Sequence, residues 1–115
     1  MKIQTSANLT SLKNNGQDIK LNEHHKIELE FSAIDTGGGF KDPMLDFSIP
    51  LKKSIEWSDA HPDMSLTLAD PDNEDKKVNF SFSGEVTLSN HQINGRIKEN
   101  QLTREVIGFV LNLLR

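Results

Sequence analysis

The stretch from His25 to Ala33, HKIELEFSA, decides the fold. Its apolar residues occupy the odd positions from Ile27 to Ala33, and polar or charged residues occupy the even positions between them. This period of two is the pattern of a β-strand with one buried face and one exposed face. The sequence therefore predicts a one-faced sheet in which the odd residues of this strand point into the core.

The same alternation recurs along most of the chain. The further predicted strands are 45–57, 64–68, 78–88 and 93–97, with two weaker strands at 3–9 and 19–21. Because proline has no backbone N–H to donate, the segment 45–57 is expected to lie at a sheet edge, to be bulged at Pro50 or to consist of two short strands, and an edge is preferred. Gly84 indicates a bend within 78–88. The short connections favour antiparallel neighbours, which gives six or seven antiparallel strands.

The last sixteen residues, NQLTREVIGFVLNLLR, change the period. Apolar residues at helical spacing from Leu102 to Leu114 predict an amphipathic helix, capped by either Asn100 or Thr103. Gly108 is a poor helix former, so we expect another backbone to approach it closely. The predicted fold class is α+β, a mainly antiparallel curved β-sheet packed on one C-terminal amphipathic helix.

Composition excludes several classes of function. A chain of 115 residues, 35% of them apolar, supports one core, so a single domain covering 1–115 is expected. The net charge of -4 does not favour nucleic acid as a partner, and the absence of cysteine excludes disulfides and thiolate chemistry. The first residues are polar and carry no apolar run, so we expect no membrane segment and a cytoplasmic location.

The string Asp35-Thr36-Gly37 at the end of the predicted strand resembles the catalytic signature of retroviral-type aspartic peptidases. In that family two chains each give one aspartate to a shared pair that activates water. The chain departs from the family at Gly38, where the family has Ala or Ser, and it lacks a glycine-rich flap. The peptidase is therefore a remote alternative, and the glycines from Gly37 to Gly39 indicate a flexible contact loop that ends in an exposed Phe40.

No metal or cofactor is expected. His24 and His25 are adjacent, so on a strand they point to opposite faces, and these two, His61 and His91 are predicted to be solvated turn residues. The acidic string 70–75 lacks the glycine and the glutamate of a calcium-binding EF-hand loop, so a solvated hairpin tip is the better interpretation.

The helix carries the main functional expectation. Its apolar arc of about 200° is wider than one sheet usually covers, so a second copy is expected to contact Ile107, Leu111 and Leu114. The alternative is a sheet that curls far enough to surround the helix and leaves a monomer. The residues expected to face the chain's own sheet are Leu102, Val106, Phe109 and Leu113. With Phe40, the contact candidates Ile107, Leu111 and Leu114 suggest a small non-enzymatic protein-interaction module, such as an adaptor, inhibitor or immunity-like protein. It is expected to bind another protein, or a second copy as a homodimer, through its loops, its edge strand or an oligomer face. The alternative is a shell that binds an apolar small ligand.

Overall fold

The computed structural model describes residues 2–14, 16–19, 25–51, 63–83, 85–89 and 91–113. The strands are β1 Lys2–Asn14, β2 Gln17–Asp18, β3 Lys26–Asp35, β4 Phe40–Pro50, β5 Asp63–Asp70, β6 Asn73–Ser83, β7 Glu85–Ser89 and β8 Gln92–Ile97. A 3-10 turn at Glu99–Gln101 leads into one helix, α1, at Arg104–Asn112. An antiparallel curved sheet with a single C-terminal helix is the predicted fold class, which is confirmed. The described strands number eight, and 78–88 forms parts of two of them. The two-residue strand β2 precedes the predicted strand 19–21, of which Ile19 is in no strand and residues 20–21 lie outside the described ranges.

The sheet is curved and open, and the chain passes directly from one of its end strands to the other. The strand order is β6-β5-β1-β3-β4-β8-β7, and β2 pairs with the end of β1. The end strands β6 and β7 are consecutive in the chain and are separated by a single residue. Since successive Cα atoms lie about 3.8 Å apart, Ser83 and Glu85 are within about 8 Å of each other. The bend predicted at Gly84 lies outside the described residues.

The residues that face the core are those that the alternation predicts, odd-numbered in β3 and even-numbered in β6. Ile27, Leu29, Phe31 and Ala33 of β3 are all at most 7% exposed. In β6 the even residues Val78 and Phe80 are buried. The core also includes Val106 and Val110 of α1, so the helix packs its apolar side on the concave face of the sheet.

Pro50 does not mark a sheet edge, and that prediction is wrong. β4 pairs with both β3 and β8, which makes it an interior strand. Pro50 is the last residue of β4. Because the strand ends there, the missing proline N–H does not remove a hydrogen bond from the middle of the sheet. The predicted continuation of this strand to Trp57 lies outside the described residues.

β1 is longer than the sequence indicates because it contains a bulge. Its pairing with β5 passes from Leu9↔Leu68 to Ser11↔Thr67, which leaves Thr10 as the extra residue. The bulge shifts the parity, so Leu9 and Leu12 both point inward and are buried. Because the alternation shifts by one position at Thr10, the sequence pattern does not show the segments before and after it as one strand.

The helix begins at the second of the two predicted caps. The Thr103 hydroxyl accepts a hydrogen bond from the Val106 backbone N–H at 3.3 Å, whereas Asn100 lies in the preceding 3-10 turn. Gly108 differs from expectation. Outside the helix's own backbone, no described heavy atom lies within 4 Å of the position that a Cβ on Gly108 would occupy.

Candidate functional site

A cleft of 620 Å³ lies between β6 and α1. Its strand wall includes five consecutive residues, 75 to 79, and its helix wall consists of Arg104, Glu105, Gly108, Phe109 and Asn112. Side chains of successive strand residues alternate between the two faces of a sheet. A cleft lined by consecutive residues therefore faces the edge of the strand and not one of its faces.

A second cleft of 510 Å³ extends the first one along the strand. It is lined by residues 79 to 81 of β6 and residues 103 to 105 that open the helix. Both clefts share Asn79, Arg104 and Glu105. We call the two together the β6–α1 cleft.

The strand wall is the outer edge of the sheet. Among the described strands, β6 pairs with β5 alone. The pairing passes from Ala69↔Lys77 to Asp70↔Asn73, so residues 74 to 76 bulge away from β5. Lys76 and Lys77 are exposed here, and lysines are common on sheet edges because they discourage indiscriminate strand pairing.

The helix wall follows from the way α1 is seated. Val106 and Val110 face the core and are each 1% exposed. On a helix with 3.6 residues per turn, Arg104, Gly108 and Asn112 therefore lie on the opposite side. Gly108 stands at the middle of this wall and contributes no side chain.

Charges of both signs line the cleft and balance each other. The acidic residues are Asp70, Asp75 and Glu105, and the basic residues are Lys76, Lys77 and Arg104. Val78, Gly108 and Phe109 lie among them. The cleft therefore suits an extended group without strong net charge better than an ion.

A groove of 640 Å³ crosses the outer face of the sheet over β3, β4 and β8. Its charged side chains engage each other. Gln4 Nε2 donates to Glu30 Oε1 at 2.9 Å, Lys2 Nζ lies 3.7 Å from the same oxygen, and Arg96 Nε donates to Asp46 Oδ1 at 2.8 Å. Arg96 lies directly opposite Asp46, so this ion pair supports the pairing of β4 and β8, whereas Glu30 and Asp46, which are opposite each other in β3 and β4, carry like charges.

Asp35 lies at the exposed tip of the β3–β4 hairpin, and its carboxylate is used within the turn. Its Oδ1 accepts the Gly37 backbone N–H at 2.9 Å. The Thr36 N–H and hydroxyl both donate to the Gly39 carbonyl at 3.0 Å. These bonds form a defined hairpin turn of the kind that Asp and Thr side chains favour.

The sequence-predicted contact residues are dispersed in the structure. Phe40 is 39% exposed, and its ring meets the buried Phe31 ring edge-on, with centroids 5.7 Å apart. Ile107 and Leu111 are half-buried and pack against the chain's own core, together with Phe109 and Leu113. Leu114 lies outside the described residues. Whether these residues contact a second copy stays a prediction.

His25 corrects the expectation of solvated histidines. It is only 8% exposed, and its Nε2 donates to the Pro50 carbonyl at 2.7 Å, which joins the start of β3 to the end of β4. The odd parity of His25 in the strand pattern was the signal that it points inward. His91 is exposed in a turn with φ 58°, as predicted, and His24 and His61 lie outside the described residues.

The acidic string is the tip of the β5–β6 hairpin, as predicted. The Asp72 N–H donates to Asp70 Oδ1 at 2.9 Å, and the Asp75 N–H donates to Asn73 Oδ1 at 3.1 Å. Within the described part of the chain, no three His, Asp or Glu side chains are grouped closely enough to hold a metal ion.

Comparisons with known proteins return no matching family model, no matching curated protein and no matching solved structure. None of the helices in the described ranges is long and apolar enough to cross a membrane.

The sequence analysis did not identify the β6–α1 cleft. The adjacent lysines Lys76 and Lys77, just before the predicted strand 78–88, could have indicated that this strand lies at a sheet edge. Gly108 was expected to be approached closely by another backbone, but the sequence did not indicate which one.

Proposed function

We propose that this chain is a small non-enzymatic protein-interaction module of the cytoplasm, of the adaptor, inhibitor or immunity-like kind, which binds another protein at the β6–α1 cleft. The observation that carries the proposal is that consecutive residues of an edge strand line a cleft whose opposite wall is a helix. Edge strands and helix-flanked grooves are recurring sites of peptide recognition.

The chemistry of the cleft supports binding over catalysis. The described residues that line it offer strand backbone, the amide of Asn79, apolar contact with Val78 and Phe109, and charged side chains of both signs, but they include no histidine, the side chain that most often acts as a general acid or base. The β6–α1 cleft lies at an edge of the sheet and the other groove on its outer face, so neither favours the shell for an apolar ligand over the interaction module.

The test is a selection of random peptides displayed on phage against the immobilised full-length chain. The proposal predicts that particular peptides are enriched and that synthetic versions of them bind the chain in solution. An unrelated immobilised protein of similar charge is the control. Failure to enrich any peptide above this control would contradict the proposal.

A further inference from the structure

We infer that the β6–α1 cleft binds its partner as an added β-strand. The occupant is an extended, flexible polypeptide segment without strong net charge, hydrogen-bonded to the backbone of Lys77–Asn79 and backed by Gly108. This inference rests on the proposed function and specifies the chemistry of the partner.

The backbone of β6 provides the first step. Lys77, Val78 and Asn79 pair with Ala69, Leu68 and Thr67 of β5 on one side. The N–H and C=O groups of a strand alternate between its two sides, so part of this segment's groups point away from β5 and toward the cleft. Main-chain hydrogen bonds from an incoming strand satisfy such groups whatever its side chains are.

Gly108 provides the second step. A glycine in a helix costs about 1 kcal/mol relative to alanine, and α1 has only nine residues. The described chain does not use the space that a Cβ would fill. Gly108 lines the cleft opposite the edge of β6, so the space is available to a backbone or side chain that comes from outside.

The charge pattern provides the third step. Three acidic residues, Asp70, Asp75 and Glu105, and three basic residues, Lys76, Lys77 and Arg104, line the cleft. A segment with a strong charge of either sign would meet like charges as well as opposite ones, which is unfavourable. The occupant is therefore a segment without strong net charge.

The helix also favours a flexible occupant. α1 lies beside the edge of β6, so a strand that enters the cleft must fit between the two. An extended segment brings only its own width into this space, whereas a strand that belongs to a folded sheet brings its neighbours with it. The added strand therefore comes from an extended part of the partner.

An N-methyl scan tests the strand geometry. The probe is the tightest-binding peptide from the displayed library, with each residue replaced in turn by its N-methyl form, which removes one backbone N–H. Because alternate N–H groups of a strand face its neighbour, losses of roughly tenfold or more are expected at every second central residue. A uniform or patternless scan would overturn strand addition, while the proposed function would stand as long as the peptide binds.

A matched pair of glycine variants tests the location. Gly108→Gln places a straight-chain, helix-favouring residue in the cleft. Gly38→Gln makes the same change in open space at the β3–β4 hairpin, where φ is not left-handed. Gly108→Gln should weaken peptide binding by roughly tenfold or more without lowering the unfolding temperature, and Gly38→Gln should leave binding unchanged. Equal affinity of both variants for the peptide would overturn the assignment.

Discussion

Gly95 of β8 pairs with Phe47 of β4, and the Phe47 ring lies across the place where a side chain on Gly95 would begin. Phe47 is 3% exposed and is surrounded by the core, so its ring has little room to move. We predict that Gly95→Ala lowers the free energy of unfolding by about 1 to 3 kcal/mol through overpacking, measured by urea denaturation.

A double-mutant cycle provides the control for this prediction. Phe47→Leu shortens the side chain that meets the new methyl group. Gly95→Ala should therefore cost less in the Phe47→Leu background than in the wild type. Strictly additive losses would show that the ring does not limit position 95.

Leu29 tests the one-faced sheet at a single position. It is 2% exposed at the centre of β3, whereas its neighbour Glu28 is exposed. Leu29→Ala should cost about 2 to 5 kcal/mol of unfolding free energy, and Glu28→Ala should change it by less than about 0.5 kcal/mol. Similar losses at the two positions in urea denaturation would contradict the assigned faces.

At the residue scale, the odd or even position of a residue correctly predicted whether its side chain is buried wherever apolar and polar residues alternate without a break. It places Ile27, Leu29 and Phe31 correctly, and applied to His25 it would have predicted a buried ring. The misassignment of His25 came from treating residue type as stronger than position. The Pro50 carbonyl, which supplies the ring's hydrogen bond, is distant in sequence and therefore invisible to a local pattern.

At the scale of single elements, the start of α1 depends on one hydroxyl. Thr103→Ala removes the acceptor for the Val106 N–H and should cost about 0.5 to 2 kcal/mol of unfolding free energy. Thr103→Ser keeps the acceptor and should restore most of the stability. Asn100→Ala is the matched control at the rejected cap and should have little effect; a larger loss there would move the helix start.

The β3–β4 hairpin gives a prediction about activity. Neither the wild type nor Asp35→Asn should cleave an unfolded protein at any pH from about 4 to 7, the range in which a shared carboxylate pair would act. The reason is that the Asp35 carboxylate accepts the Gly37 N–H in an exposed turn. Asparagine keeps that acceptor, so the fold is preserved. Cleavage by the wild type that disappears in Asp35→Asn would restore the peptidase alternative.

A strand or helix could be predicted from the sequence where its apolar residues keep one regular spacing. β3 is seen directly, and α1 is correct except that it is shorter than expected. β1 was predicted too short because the bulge at Thr10 shifts its alternation of inward and outward residues by one position. The separation of β6 from β7 is not visible because the alternation continues through both strands. Bulges and corners depend on which strand lies opposite, and a local pattern does not contain that information.

At the scale of the whole molecule, the strand order creates the candidate site. β6 becomes an edge because the chain enters β7 at the other end of the sheet, and α1 then returns to lie beside β6. Predicting this arrangement requires non-local pairing, so neither the edge nor the cleft could be deduced from periodicity. The sequence nevertheless contained two parts of the site, the Lys76-Lys77 pair and the glycine within the helix.

Amide hydrogen exchange of the full-length chain, with and without the selected peptide, tests the central claim most directly. If a strand is added at the β6–α1 cleft, the backbone amides that gain protection should lie within Lys77–Asn79, because some of these N–H groups acquire carbonyl partners. Protection confined to the groove around Asp46 and Arg96, or to the hairpin tip from Thr36 to Phe40, would contradict the claim.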